Sequence, residues 1–156
     1  MIPDAVRLAT DALIKPFEGY HRMLHDGRCQ SYPDPGTGDR PWTIGWGSTG
    51  PDISPGTIWS REAAEARLWR DVTTFATAVA RLSPGILAEP DRRFAAIISF
   101  AYNCGLGNYR ISTLKRRVDA KDWPGAQEQI VRWNKAAGRV LPGLTRRRKM
   151  EALMLA

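Results

Sequence analysis

Residues 17–47 read FEGYHRMLHDGRCQSYPDPGTGDRPWTIGWG. Gly and Pro recur too often here for helix or long strands, because Gly costs backbone entropy when ordered and Pro withholds an amide donor. Only Cys29 to Tyr32 and Trp42 to Trp46 carry enough β-prone residues to predict strands. The stretch 19–58 is therefore expected to form a small, turn-rich hairpin lobe. Within its second strand, Trp42 and Trp46 fall on one face by the period of two.

Helical periodicity begins on both sides of this stretch. Upstream, Val6, Leu8, Ala9, Ala12 and Leu13 follow Asp4, which predicts a helix over 4–15 with Asp4 as N-cap. It should stop near Lys15, because Pro16 disfavours helix in the residue before it. Phe17, Glu18 and Gly19 then lie at the helix exit. Downstream, Ser60 is a good N-cap, Glu62 sits in the first turn, and Leu68, Val72, Phe75, Val79 and Leu82 recur at spacings of four and three. These predict a helix over 60–82, long enough to join two lobes.

The remainder, 83–156, reads as an all-helical lobe packed with the N-terminal helix. Phe94, Ile97, Ile98 and Ala101 form one apolar face ending at Gly105, and Leu114 with Val118 marks a short helix. Trp123, Ala126, Ile130 and Trp133 mark another behind Asp122 as cap, with both Trp expected in the core. A last helix is expected after Pro142-Gly143. The fold class is α+β, in one domain over 1–156: a lobe over about 16–59, a linking helix and a helical lobe.

Composition fits one globular domain of 156 residues, 43% apolar and 25% charged, and excludes a disordered chain. The net charge of +7 favours polyanionic partners without choosing among them. Residues 110–149 hold twelve basic and three acidic side chains, so a polyanion should feel that part most. Cys29, expected in a loop, and Cys104, expected to be buried, have no neighbours at ligand spacing, and His21 and His25 are not set in a zinc-binding helix motif. Free thiols and no metal follow. The N-terminus carries acidic residues and Pro and lacks the apolar core of a signal peptide, and no run reaches the length of a membrane span.

Three residues of the hairpin region can carry chemistry. Glu18 stands at a helix exit, Asp34 lies in a Tyr-Pro-Asp-Pro-Gly turn, and Thr43 lies within Trp-Thr-Ile-Gly-Trp-Gly. A carboxylic acid facing a carboxylate and a hydroxyl is the equipment for hydrolysing a glycosidic bond. The acid protonates the leaving oxygen, and the carboxylate orients water or offsets oxocarbenium charge. Each residue also has a structural reading: a solvated helix-end Glu, an Asp serving turn geometry, a Thr chosen for strand propensity.

The strings FEG (17–19), YPDPGTG (32–38), WTIGWG (42–47), SFAYNCGLGNYRISTL (99–114) and RWNKAAGRVLPGLTRRR (132–148) together resemble the phage-type lysozymes, or endolysins, of glycoside hydrolase family 24. The resemblance runs from about residue 10 to the end. It implies a lysozyme-like fold and a muramidase that hydrolyses the β-1,4 bond between N-acetylmuramic acid and N-acetylglucosamine. It places the catalytic set on Glu18 as general acid, Asp34 as the second carboxylate and Thr43 as holder of the attacking water. It further implies inversion, with carboxyls about 6.5–9.5 Å apart.

The spacing departs from the family's habit, since fifteen residues lie between Glu18 and Asp34, as if a segment had been inserted within HRMLHDGRCQS. Asp26 is the rival by spacing. The flanking Tyr-x-Asp and the downstream Trp-Thr-Ile-Gly favour Asp34, and Asp26-Gly27 reads as a turn. The family pairs its catalytic Glu with an Arg near the start of a late helix, which falls here on Arg146 or Arg147, with Arg148 beside them. Tyr32, Trp42 and Trp46 are candidate sugar contacts or core aromatics, and Asn103 is a candidate substrate contact or a helix C-cap.

No cofactor is implied. The resemblance implies action on peptidoglycan, with the protein held in the host cytoplasm until the membrane is permeabilised; a monomer is expected, and the basic charge points to an anionic envelope surface as further partner. A lytic transglycosylase would cleave the same bond. A nucleic-acid-binding protein fits the charge alone, but no recognition motif stands out, so nucleic acid is not an expected partner. A non-catalytic wall- or membrane-binding module is the remaining alternative.

Overall fold

The computed structural model describes residues 2–156, which divide into two compact units, Ile14–Asp71 and one formed by the N-terminal residues to Leu13 with Val72–Ala156. The boundaries fall after Leu13 and inside one long helix.

In the Ile14–Asp71 unit, α2 (Lys15–Glu18) leads into four two-residue strands: β1 (Cys29–Gln30), β2 (Thr43–Ile44), β3 (Ser48–Thr49) and β4 (Ile58–Trp59). Two antiparallel pairs form, β1 with β4 and β2 with β3, the latter in register Thr43 opposite Thr49. The predicted strand pieces are present but shorter than expected, and β3 and β4 went unforeseen in a stretch dominated by turn residues. Trp46 lies in the turn between β2 and β3, so it does not share a strand face with Trp42 as alternation predicted. It is 4% exposed and packs on Tyr20 with ring centroids 4.5 Å apart. Ser60 caps α3 (Arg61–Leu82) as expected, its Oγ accepting the Ala63 amide at 3.1 Å. The first half of α3 closes this unit, with buried Ala64 and Leu68 beside Ile44 and Trp46 in its core.

The supposed insertion is a small hairpin. Met23 bridges Cys29, the Leu24 amide donates to the Arg28 carbonyl at 2.7 Å, and Asp26-Gly27 forms the tip. Cys29 is fully buried there rather than looped out, while Cys104 is only half-buried, reversing the expectation for the two thiols.

In the other unit, α1 (Ile2–Leu8) packs on α4 (Asp91–Cys104), which also carries α5 (Leu106–Ile111) and α8 (Pro142–Leu155). Asp4 lies inside the first turn of α1 rather than capping it. The helix does not stop before Pro16. A π-helical stretch, Ala9–Ile14, connects α1 to α2, and Pro16 sits in the first turn of α2, just past that stretch. Phe94 to Ala101 are all buried, so α4 is enclosed on every side rather than along one face. Each of its isoleucines contributes about 1.5–3 kcal/mol by leaving water.

Helices α6 (Thr113–Asp119) and α7 (Trp123–Ile130) match the expected short helices, with Ser112 and Asp122 capping them. α5, a 3-10 turn at Pro84–Ala88 and a hairpin of β5 (Lys135–Ala136) and β6 (Arg139–Val140) were not foreseen, so this part is not all helical. Trp133 lies beyond α7, half-buried and edge-on to Phe100 at 5.3 Å, whereas Trp123 is buried as expected. The last helix starts at Pro142 itself.

Candidate active site

Glu18 is the last residue of α2, half-buried, and Gly19 behind it adopts φ +73° while its amide donates back to the Lys15 carbonyl at 3.1 Å. That φ suits glycine, so the chain turns sharply as it leaves the helix. His21 fixes the turn from the other side. Its Nε2 lies 2.7 Å from the Glu18 carbonyl oxygen, and because a carbonyl only accepts, Nε2 carries the proton. The same imidazole meets the Tyr32 ring edge-on at 5.8 Å.

Tyr32 links the helix exit to the hairpin. Its amide donates to the Thr43 carbonyl and its carbonyl accepts the Thr43 amide in return, both at 2.9 Å. Burial, and behind it the negative charge of Glu18, raise the Tyr32 phenol above its ordinary value. The Glu18 carboxylate therefore lies within electrostatic reach of the Tyr32 hydroxyl. Asp34 follows two residues on, where its Oδ1 accepts the amides of Gly36 and Thr37 at 2.9 and 3.0 Å and its own amide donates to the Asp39 carbonyl at 2.9 Å. Backbone amides hold this carboxylate, and both bonds fall on Oδ1.

Asp26 is placed differently. It is exposed, its carboxylate receives the Arg28 guanidinium at 2.7 Å and the Arg28 amide at 3.1 Å, and these hold its carboxyl below the usual range. It serves a local turn closed by a salt bridge. Trp46 lies under Lys15 and Arg61, 5.0 and 5.6 Å from its ring, as a core aromatic. Trp42 is half-buried and lines a separate cavity.

The remaining candidates belong to the other unit. Asn103 Oδ1 accepts from Arg148 Nη2 at 2.7 Å and lines a groove of about 440 Å³ with Cys104, Asn108 and Trp133. Arg146 is exposed. Arg147 is 3% exposed, with Nε 3.3 Å from Glu151 Oε1, and Arg148 Nε lies 3.1 Å from Glu151 Oε2. Ser99 donates to Glu151 at 2.7 Å. This fully buried Glu151 and the imidazole of His21 are the residues that sequence reasoning missed. An acid one turn beyond an Arg pair was the available signal for Glu151; a histidine three residues after a helix-end Glu was the weaker one for His21.

The phage lysozyme profile matches residues 17–151, a stretch that includes Glu18, Tyr32, Asp34 and Thr43. The chain belongs to the phage lysozyme family. Relatives include the endolysin of Bacillus phage B103, 37% identical over 89% of this chain and 49% of its own, and the SAR-endolysin of Bacteriophage PS119, 38% identical over 70% and 64%. The chain thus spans about half to two-thirds of the length of these curated relatives. Among solved structures, the endolysin from Escherichia coli O157:H7 phage FAHEc1 is similar at 31% identity and a TM-score of 0.75, over 96% of this chain and 90% of that one. The muramidase domain of SpmX from Asticaccaulis excentricus matches at 28% and 0.75, over 97% and 94%. The lysozyme-like α+β fold is therefore established for this family member. Among its described residues no helix is long and apolar enough to cross a membrane.

Proposed function

We propose that this phage lysozyme family member is an endolysin muramidase that hydrolyses the β-1,4 bond between N-acetylmuramic acid and N-acetylglucosamine in peptidoglycan, with inversion, to lyse a bacterial host. The observation that carries the reading is the position of Tyr32: its backbone is paired to Thr43, Asp34 follows two residues later, and its phenol feels the charge of Glu18. Glu18, Asp34 and Thr43 share the 14–71 unit with it, which supports the reading. Similarity to endolysins and to a muramidase domain supports the substrate class.

Glu18 delivers a proton to the bridging oxygen as the bond to the anomeric carbon breaks. Asp34 offsets the oxocarbenium charge and takes the proton of the attacking water, which Thr43 holds on the opposite face. Tyr32 contacts the glycan beside these groups, and the molecule works as a monomer. Its basic C-terminal stretch strengthens attraction to an anionic envelope after release to the wall.

Mass spectrometry of the products from digested walls tests this reading. Reducing-end muropeptides are expected. Products ending in 1,6-anhydro-muramic acid would assign a transglycosylase instead.

A further inference from the structure

A cavity of about 550 Å³ opens in the Ile14–Asp71 unit between the start of β2 and the loop that follows β3. Glu18, Tyr32, Asp34 and Thr43 are not among its lining residues. Its wall combines the half-buried indole of Trp42, the rings of Pro41, Pro51 and Pro55, the hydroxyl-bearing Ser54 and the exposed Arg40. The size is that of a small-ligand site.

The wall is held in place rather than left as a loose loop. Arg67, whose side chain is 11% exposed, reaches it from α3 with three groups of bonds: Nη1 donates to Asp52 at 2.6 Å, Nη2 to the Thr49 carbonyl at 2.7 Å and Nε to Asp71 at 2.9 Å. Gly50 fits beneath it because a Cβ there would stand 2.7 Å from Asp52 and 2.8 Å from Arg67. Ser54 is fixed in turn, its carbonyl accepting the Ser31 hydroxyl at 2.7 Å and its amide donating to Thr57 Oγ1 at 3.1 Å. A wall braced before binding loses little entropy on binding.

Arg40 defines the ligand. Its guanidinium has no hydrogen-bond or ion-pair partner among the described residues, although it lines the same cavity as Trp42. An indole face accepts the apolar CH face of a pyranose, and a guanidinium fork matches a carboxylate. A polyanion does not fit, because residues 14–71 hold seven basic and eight acidic side chains, leaving no surplus positive field.

We propose that this cavity is a second saccharide site, apart from the bond-cleaving groups, that takes a carboxylate-bearing N-acetylhexosamine unit of the wall glycan, ring against Trp42 and carboxylate on Arg40. The choice of glycan rests on the muramidase reading; the cavity itself does not.

The test uses the Glu18→Gln protein, so that no ligand is consumed, titrated with N-acetylmuramic acid and with neutral tri-N-acetylchitotriose while backbone amide and indole signals are followed by NMR. N-acetylmuramic acid is expected to shift the Trp42 indole and the Gly50 and Ser54 amides, and Arg40→Ala is expected to weaken that binding about tenfold. Chitotriose binding at the same signals is expected to be weaker and indifferent to Arg40→Ala. Trp42→Ala should abolish both, with the amide spectrum reporting whether that variant is folded. The proposal is overturned if N-acetylmuramic acid leaves those signals unmoved, or if Arg40→Ala binds it as the parent does. Wall digestion by the wild type separates the two readings. Release of muropeptides without binding at Trp42 removes only this site, and binding at Trp42 without muropeptide release removes only the muramidase.

Discussion

The Nε2–H of His21 donates to the main-chain carbonyl of Glu18 at 2.7 Å, so the imidazole pins the helix exit on which the proposed acid is carried. Gly19 lies between them at φ +73°, and a Cβ there would stand 3.2 Å from His21 Nε2. Gly19→Ala is therefore expected to destabilise the protein by about 1–2 kcal/mol, through left-handed strain and displacement of the imidazole. Denaturant unfolding measures the loss, and wall lysis should fall further than stability alone explains.

The two candidate second carboxylates differ in what they hold. Asp34 is fixed by backbone amides, whereas Asp26 is occupied by Arg28. Asp34→Asn keeps an oxygen acceptor for the turn and should still lower wall lysis by about 10²-fold or more, while Asp26→Asn stays within about twofold of the wild type. Turbidity assays on purified walls with both folded variants check this, and full activity in Asp34→Asn would count against the assignment.

Glu151 is fully buried between Arg147 and Arg148 and accepts from Ser99. Glu151→Ala leaves two guanidiniums deep in the helical unit without their carboxylate. The expected cost is about 3–5 kcal/mol, read by chemical denaturation.

Acid sensitivity should centre partly on Glu89. Its carboxylate receives Arg93 at 2.8 Å and Lys121 at 3.2 Å, and these hold it below the ordinary glutamate value, Arg93 foremost. The folded protein then binds fewer protons at this group than the unfolded chain. The contribution is complete above the ordinary value of about 4.3 and fades as pH falls through the lowered folded value. Glu89→Gln should cost about 1 kcal/mol at neutral pH and flatten the fall of Tm on acidification.

The long periodic helices were legible because their apolar residues recur over many turns, as Leu68, Val72 and Val79 do in α3. Two-residue strands such as Ile58–Trp59 leave no period to read, and their pairing with Cys29–Gln30 depends on contacts far apart in sequence. Pro16 misled because its effect on a helix depends on the preceding turn, and the π-helical Ala9–Ile14 carries no simple sequence mark. Glu18, Asp34 and Thr43 stood out by residue type and motif, but their link through Tyr32 did not. Its Tyr32–Thr43 half is a backbone pairing, to which side-chain identity is nearly blind.

The central claim is that Glu18 supplies the proton for glycosidic cleavage, and the most direct measurement is the rate of muropeptide release from purified walls by Glu18→Gln at unchanged fold and stability. A loss of about 10²–10⁴-fold is predicted. Release at the wild-type rate would contradict the account.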